Sequence, residues 1–433
     1  MQNDSVGSTA ADQVSFEAWA GARSVPTLSS NVGSGELPFQ SWRNFKEAFA
    51  PEIVARAIRE TPRKIDRILD PFGGSGTTAL TAQFLGVNPV TIEVNPYLAD
   101  LIESKLATYD VTYLTKAFSQ VVSKVWKGPI NRSACFEGAP ATFIEPGLSG
   151  KFIFSRNIAQ RIVAYKNAIS EIEDVPTKRL LRVIFASTLI PVSNVVISGK
   201  GRRYRQNWRE NLTCIDEVDR RFHEGMLNAI HDIQRYRDRA CLDYEVRRGD
   251  ARSLIHVNER FDLAVFSPPY PNSFDYTDVY NVELWAMGYL LNSEDNKNLR
   301  KATLRSHVQI LRDLSSQINE SRTLSRVIKR LEAARDKLWN RHLPTMVAAY
   351  FQDMHDILLA IQNSLTEKGR IYAVVGDSQY ADILVPTSKI LTELAPCVGL
   401  SPLSNEEFRS MRASPQQGGS NKLSECLLIF EKN

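Results

Sequence analysis

Ile68-Leu69-Asp70-Pro71-Phe72-Gly73-Gly74-Ser75-Gly76-Thr77-Thr78 is an apolar run that ends in an acid, breaks into a glycine-rich turn and restarts as a helix. The strand signal is Arg67-Ile68-Leu69-Asp70. The helix signal runs from Thr77 to Leu85, with Gly86 as its stop. Val90-Thr91-Ile92-Glu93 follows as a second apolar strand, again ending in an acid. Two strands joined by one helix at this spacing form a βαβ unit, so the chain holds a parallel sheet and an α/β core. Just upstream, Ile53, Val54, Ala57 and Ile58 fall on one face of a helix over Pro51 to Arg59.

A glycine turn between strand and helix lets backbone approach a ligand closely, and the helix start presents unpaired N–H groups to something electron-rich. A nucleotide-triphosphate loop needs Lys before Ser or Thr at its end, whereas Thr77-Thr78 stand here. A dinucleotide turn spaces its glycines as GxGxxG, and the third is missing. The third class is S-adenosylmethionine. Asp70 can meet its ammonium group and Glu93 its ribose hydroxyls, by the logic that places an acid about 20 residues on in dinucleotide folds. Phe72, Gly74, Gly76 and Thr77 complete the candidate cofactor set. The plain alternative is a tight turn with no ligand, against which the two strand-end acids in register count.

Working outward, residues 1–35 are rich in Ser, Gly, Ala and Asn and read as a flexible tail pinned at Phe16 and Trp19. An α/β core is expected over 36–110 and 244–433. A largely helical insertion over 111–243 lies between them, with no strand–helix alternation. The core resumes at Tyr244-Glu245-Val246, then Arg248-Gly249-Asp250, then the apolar strand Phe261 to Phe266. Residues 296–342 read as a basic helical insertion, twelve Lys and Arg against four acids, with Leu324, Val327, Ile328, Leu331, Ala334 and Leu338 on one face. Gly369 to Asp377 and Cys426 to Phe430 read as the last strands.

The greasiest strand runs into Ser267-Pro268-Pro269-Tyr270. Two prolines stiffen the turn and remove two N–H donors. What remains is a hydroxyl, carbonyl oxygens and an aromatic ring: an acceptor-rich pocket for an amino group beneath a stacking surface. A rigid turn with a core tyrosine is the structural alternative.

Here the sequence resembles a known family. Asp70-Pro71-Phe72-Gly73-Gly74-Ser75-Gly76 is similar to the FxGxG cofactor motif of S-adenosylmethionine-dependent DNA amino-methyltransferases of the restriction–modification type. Ser267-Pro268-Pro269-Tyr270 resembles their (Asp/Asn/Ser)-Pro-Pro-Tyr catalytic motif. The Ser form resembles the cytosine-N4 branch; Asp and Asn forms are commoner in the adenine-N6 branch. Phe45 to Val54 resembles the helix-entry motif, Asp250 the acid that meets the cofactor's adenine amino group, and Val375-Gly376-Asp377-Ser378 a later core strand. The likeness covers about residues 40–110 and 244–433. The cofactor motif precedes the catalytic one, with over a hundred residues between Glu93 and Asp250, whereas many cytosine-N4 members have the reverse order.

The resemblance implies a Rossmann-like sheet with largely helical insertions, a methyltransferase catalytic core over 36–110 and 244–433, the insertion 111–243 as candidate target-recognition region, and S-adenosyl-L-methionine as cofactor. It implies that Ser267 Oγ and the Pro268 carbonyl accept the two hydrogens of an exocyclic amino group, freeing its lone pair, and that Tyr270 stacks on the base. It implies double-stranded DNA as substrate, a base flipped out of the helix, and a cognate restriction endonuclease as partner. Adenine N6, and RNA or a protein amide as acceptor, are the competing acceptors on the same fold. A binding protein without turnover is the competing class.

The remaining signals are weaker. Lys200, Arg202, Arg203, Arg205 and Arg209 fall within ten residues, with Tyr204 and Trp208 among them and no acid, which suits phosphate contacts. Pro396-Cys397 could carry cytosine-C5 chemistry, but follows a helical pattern and reads as buried core. The six histidines (His223, His231, His256, His307, His342, His355) show no metal spacing and read as surface or packing residues. Five scattered cysteines make no CxxC pair, so no metal site is expected, and a reducing cytoplasm fits, which the resemblance makes prokaryotic. The 433 residues carry a net charge of +4 with 43% apolar and 24% charged side chains, which excludes a disordered or collagen-like chain. No apolar run reaches the ~18–20 residues of a membrane span. Leu180 to Ile197 comes nearest and is interrupted by Arg182, Pro191 and Asn194. No signal peptide is visible.

Overall fold

The strand Arg67–Asp70 (β1), the helix Thr77–Phe84 and the strand Asn88–Glu93 (β2) stand where the sequence places them, in a computed structural model. It describes residues 15–21, 33–43, 45, 48–127, 136, 138–198, 201–240, 242–272, 274–412 and 422–433. Ile68 and Leu69 are fully buried, as expected of a central parallel strand covered on both faces. Every residue of the helix Thr77–Phe84 is buried as well, which explains why its sequence shows no polar face.

Seven strands form one sheet. The further members are Glu245–Arg248 (β5), Phe261–Phe266 (β6), Leu365–Gly376 (β7), Leu400–Arg412 (β10) and Lys422–Lys432 (β11), and the order is β10-β11-β7-β6-β1-β2-β5. The five strands from β7 to β5 are parallel. β11 runs antiparallel to β7, and β10 antiparallel to β11. From β1 the chain winds outward through β2 to β5, then returns to lay β6 on the other side of β1. That reversal between β1 and β6 is the topological switch point of a doubly wound sheet, where the carboxyl ends of two neighbouring strands leave a crevice.

The insertion is chiefly the helices Val111–Lys127, Arg156–Ser170, Val175–Ser187 and Ile215–Arg235. Its apolar side chains, Phe118, Ile162, Phe185 and Phe222 among them, join one cluster with Leu80, Phe84 and Leu101 of the sheet's covering helices. It packs as a layer continuous with the core. One feature departs from the sequence reading: Val195–Ser198 (β3) and Gly201–Tyr204 (β4) form an antiparallel hairpin inside this region. The β-branched run Val195-Val196-Ile197 lies beyond Pro191, where helix cannot easily continue, and favours extended backbone.

Two other expectations need correction. The stretch 296–342 is not one helical unit: the helices are Ser293–Ala302 and Arg322–Ala333, and residues 303–321 between them carry no helix. Ser316, Asn319 and Ser321 bind local backbone or cap the next helix there, an alternative to helical pairing. The long strand β10 was not anticipated; its Ser-Asn-Glu-Glu centre carries no apolar strand pattern, since it is an edge strand. Near the start of the chain, Phe16–Ala20 is a short helix whose Trp19 stacks on Phe84 at 4.8 Å. Residues 1–14 and 22–32 of the expected tail lie outside the described residues. Among the described residues no helix is long and apolar enough to cross a membrane.

Candidate active site

The turn after β1 is built around its glycines. Gly73 N–H donates to the Ile92 carbonyl at 2.9 Å. A Cβ at Gly73 would lie 2.4 Å from Thr91 Cγ2, so no side chain fits. Gly74 and Gly76 take φ of +53° and +80°, backbone that only glycine adopts without strain. The two strand-end acids close the turn. Asp70 Oδ1 accepts from Phe72 N at 2.9 Å, and Glu93 accepts from Gly74 N and Asn95 N, both at 2.7 Å. Burial pushes both carboxyls up to about 7; for Glu93 the Asp70 charge adds to the rise. From behind, the fully buried Lys105 donates to the Ser75 carbonyl and to Gln40 Oε1, each at 2.7 Å, and desolvation brings it down to about 7.

The second turn leaves β6, whose six residues are all buried. Ser267 Oγ donates to the Val374 carbonyl of β7 at 3.0 Å. Tyr270 donates its hydroxyl to Glu425 Oε1 at 2.7 Å, and Tyr380 donates to the Pro271 carbonyl at 2.8 Å. Burial, and then the Glu425 carboxyl, hold the Tyr270 hydroxyl well above the ordinary tyrosine range, so it stays a donor. The two turns meet at the switch point. Thr78 Oγ1 donates to the Val265 carbonyl at 3.1 Å, and the rings of Phe72 and Phe266 lie 5.7 Å apart. Between the turns is a cavity of about 380 Å³.

The candidate residues Asp70, Phe72, Gly74, Thr77, Glu93 and Asp250 line that cavity together with Ser267, Pro268, Pro269 and Tyr270. Gly76 does not line it; it caps the following helix in a left-handed conformation. Asp250 caps the short helix Ala251–Leu254 and pairs with Arg252 at 2.7 Å, which in turn reaches Asp353 at 3.1 Å.

A family model described as DNA methylase matches residues 8–104, which include the glycine turn and Glu93. The Type II methyltransferase M.BsoBI of Geobacillus stearothermophilus is 26% identical over 463 aligned positions, spanning 94% of this chain and 88% of that one. The Type II methyltransferase M.AvaI of Nostoc sp. is 24% identical, spanning 91% of this chain and 86% of that one. The chain is thus similar to Type II DNA methyltransferases along more than nine-tenths of its length, and these matches support methyltransferase activity. Among solved structures, the rRNA methyltransferase aviRa from Streptomyces viridochromogenes is 10% identical and covers 98% of this chain and 94% of its own, with a TM-score of 0.30. So low a score carries no weight; the fold stands on its own strand order.

The methyltransferase takes S-adenosylmethionine, and the donor set suits it: buried acids for a cationic and hydroxyl-bearing ligand, a glycine turn open to close approach, and an apolar wall. The wall includes side chains that the sequence reading did not assign to the site. Phe45 stacks on Tyr280 at 6.0 Å and lines the cavity. Thr303, Leu304, Ser306 and His307 form the opposite side, from the very segment read as helix. His307 is thus a buried cavity residue whose pKa desolvation lowers to about 4, leaving a neutral ring. Its sequence neighbourhood gave no sign, because a helix over 303–321 would have pointed it elsewhere. Among the described residues no His, Cys, Asp and Glu cluster has the makings of a metal site.

The basic run divides. Arg205 spends its guanidinium on backbone carbonyls: Ser193 at 2.8 Å, and Ile190 and Pro191 at 2.9 Å. In this arrangement the cation closes the end of a helix. Arg202 pairs with Asp278 at 3.0 Å, tying the β3–β4 hairpin to the segment just after the Ser267-Pro268-Pro269-Tyr270 turn. Trp208 is buried edge-on against Phe152 at 4.9 Å and offers no free face for a base. Arg203 and Arg209 are exposed, and Lys200 lies outside the described residues. Cys397 also needs correction: it is exposed on a 3₁₀ turn, not buried, and does not line the cavity.

Proposed function

We propose that the methyltransferase transfers a methyl group to the exocyclic amino nitrogen of a base flipped out of double-stranded DNA, and that the base is cytosine, modified at N4. The observation that carries this reading is the hydrogen bond from Ser267 Oγ to the Val374 carbonyl. With its proton directed at that carbonyl, the hydroxyl oxygen presents lone pairs to a ligand. Beside it the Pro268 carbonyl is another acceptor, and Pro268 and Pro269 offer no competing N–H. Two acceptors drawing on one amino group pull its hydrogens out of the ring plane and its lone pair out of conjugation. Tyr270 supplies the stacking face. S-adenosylmethionine would supply a sulfonium methyl by direct displacement: the N–C bond forms as the S–C bond breaks, S-adenosylhomocysteine leaves, and the methylated nitrogen gives up one proton to water. Asp70, Glu93 and Asp250 would hold its ammonium, ribose and adenine ends. The chain's share of the catalysis is positioning and fixed dipoles.

Ser at position 267 favours cytosine N4, while the motif order favours adenine N6. Exposed Arg203 and Arg209, on and beside a hairpin tied to Asp278, support the insertion as the region that meets DNA. A cognate endonuclease is the matching partner in a restriction–modification pair. The deciding experiment incubates unmethylated bacterial DNA with the protein and S-adenosylmethionine, digests it to nucleosides and weighs the product. N4-methyldeoxycytidine is expected. N6-methyldeoxyadenosine would move the assignment to adenine, and a methyl group found only on RNA or protein would overturn it.

A further inference from the structure

The Tyr270 hydroxyl reaches a residue 155 positions away in the chain, on a strand that neither of the two motif-bearing turns belongs to. Glu425 lies near the start of β11, where antiparallel pairing sets it opposite Gly376 of β7. Directly paired residues project from the same face of a sheet. To reach a turn that leaves β6, the Glu425 side chain must cross over β7 at that point, and Gly376 has no side chain to stand in its way. The carboxyl is 7% exposed, its Oε1 accepts from Tyr270 at 2.7 Å, and its Oε2 lies 3.8 Å from Arg409 Nη1 on β10. Both Glu425 and Arg409 line the cavity.

The prolines fix the backbone of the turn but leave the tyrosine's side-chain torsions free. A ring tethered only at its Cβ samples several rotamers, and a base that stacks on it must then order it. We infer that Glu425 is a positioning residue for methyl transfer: from β11 it holds the Tyr270 hydroxyl and so fixes the ring face on which the target base stacks. This rests on the functional reading above. It makes β11 a third contributor to the base side of the site, beside β6 and β7.

The test measures methyl transfer from tritiated S-adenosylmethionine to unmethylated bacterial DNA. It compares the wild type with Glu425→Ala, Glu425→Gln, Tyr270→Phe and the double variant Tyr270→Phe/Glu425→Ala. Misplacing a positioned group costs on the order of tenfold to a hundredfold in kcat. That loss is expected for Glu425→Ala, with KM for the cofactor unchanged. Glu425→Gln keeps an acceptor on the same stem and should restore most of what alanine loses. Tyr270→Phe keeps the ring and drops the bond to Glu425 together with the hydroxyl's contact with Ser267, so it should show at least the same kcat loss even where Glu425→Ala fails to fold. The double variant should be no worse than the worse single, because both remove one interaction. Full kcat in Glu425→Ala, or losses that multiply in the double variant, would overturn the inference while leaving the function intact. A wild type that methylates no DNA base overturns both.

Discussion

The two walls of the cavity are built in opposite ways. On the cofactor side the contacts are local: Asp70 with Phe72, Glu93 with Gly74 and Asn95, and Lys105 with Ser75 all lie within one βαβ unit and the helix after it. On the base side they are remote: Ser267 with Val374, Tyr270 with Glu425 and Tyr380 with Pro271 span 107, 155 and 109 positions. The glycine turn needs only β1 and β2 to close, with Asp250 added just beyond the end of β5. The base wall needs β6, β7 and β11 in register, so it depends on the completed sheet. Cofactor binding and transfer should therefore separate under mutation.

The largest effect expected is at Ser267. Ser267→Ala removes one of two acceptors aimed at the amino group, and losing a preorganised polar contact of this kind costs on the order of 10²–10³ in kcat. S-adenosylmethionine affinity, measured by calorimetry, should stay at the wild-type value, because Ser267 belongs to the remote wall. A matching loss of cofactor affinity would break the division between the walls. Cys397→Ala is the control: the thiol is exposed and away from the cavity, and activity should be retained. The reverse pair of results would indicate C5 chemistry.

The same division explains what was legible in the sequence. β1, the glycine turn and β2 could be read because each rests on neighbours: an apolar run, a positive-φ turn, an acid at the strand end. The Ser267 turn could be read as a motif, but nothing near it names Val374 or Glu425, which the sheet order brings together. His307 and Thr303 were missed for a different reason. Their segment is held by Arg305, which meets Asp353 at 2.8 Å, and by Arg312, which donates to the Leu304 carbonyl at 2.8 Å. Neither an ion pair to a remote helix nor a side chain bonded to its own loop's backbone leaves a periodic trace. β10 was missed because an edge strand with one face in solvent needs no continuous apolar run.

The cofactor wall can be probed further through pH. Asp70 and Glu93 sit at about 7 because burial penalises their charged forms. As pH falls through 7 they take up protons, and Asp70 ceases to be a counter-charge for an ammonium group. Affinity for S-adenosylmethionine should therefore weaken toward pH 6, approaching tenfold per unit for a single required ionisation. It should weaken again above about 8, where an α-amino group loses its own charge. Binding at pH 6.5 should release protons, visible as a dependence of the calorimetric heat on buffer ionisation. Affinity that is flat from pH 6 to 8 would show that Asp70 is not the ammonium partner. Transfer by Asp70→Asn should fall through KM for the cofactor, the mirror image of Ser267→Ala.

The smallest effect expected separates two arginines two positions apart. Arg203 is exposed and Arg205 is spent on three carbonyls. If Arg203 meets a phosphate, Arg203→Ala should weaken DNA binding a few-fold and reduce the slope of log affinity against log salt by about one, for all sequences alike. Arg205→Ala should instead lower stability by on the order of 2–3 kcal/mol, because partly buried carbonyls lose a charged donor, and where the protein remains folded the salt slope should not change. A salt slope altered by Arg205→Ala and untouched by Arg203→Ala would invert the assignment. It would mean that the hairpin opens when DNA binds, trading the carbonyls of Ile190, Pro191 and Ser193 for a phosphate.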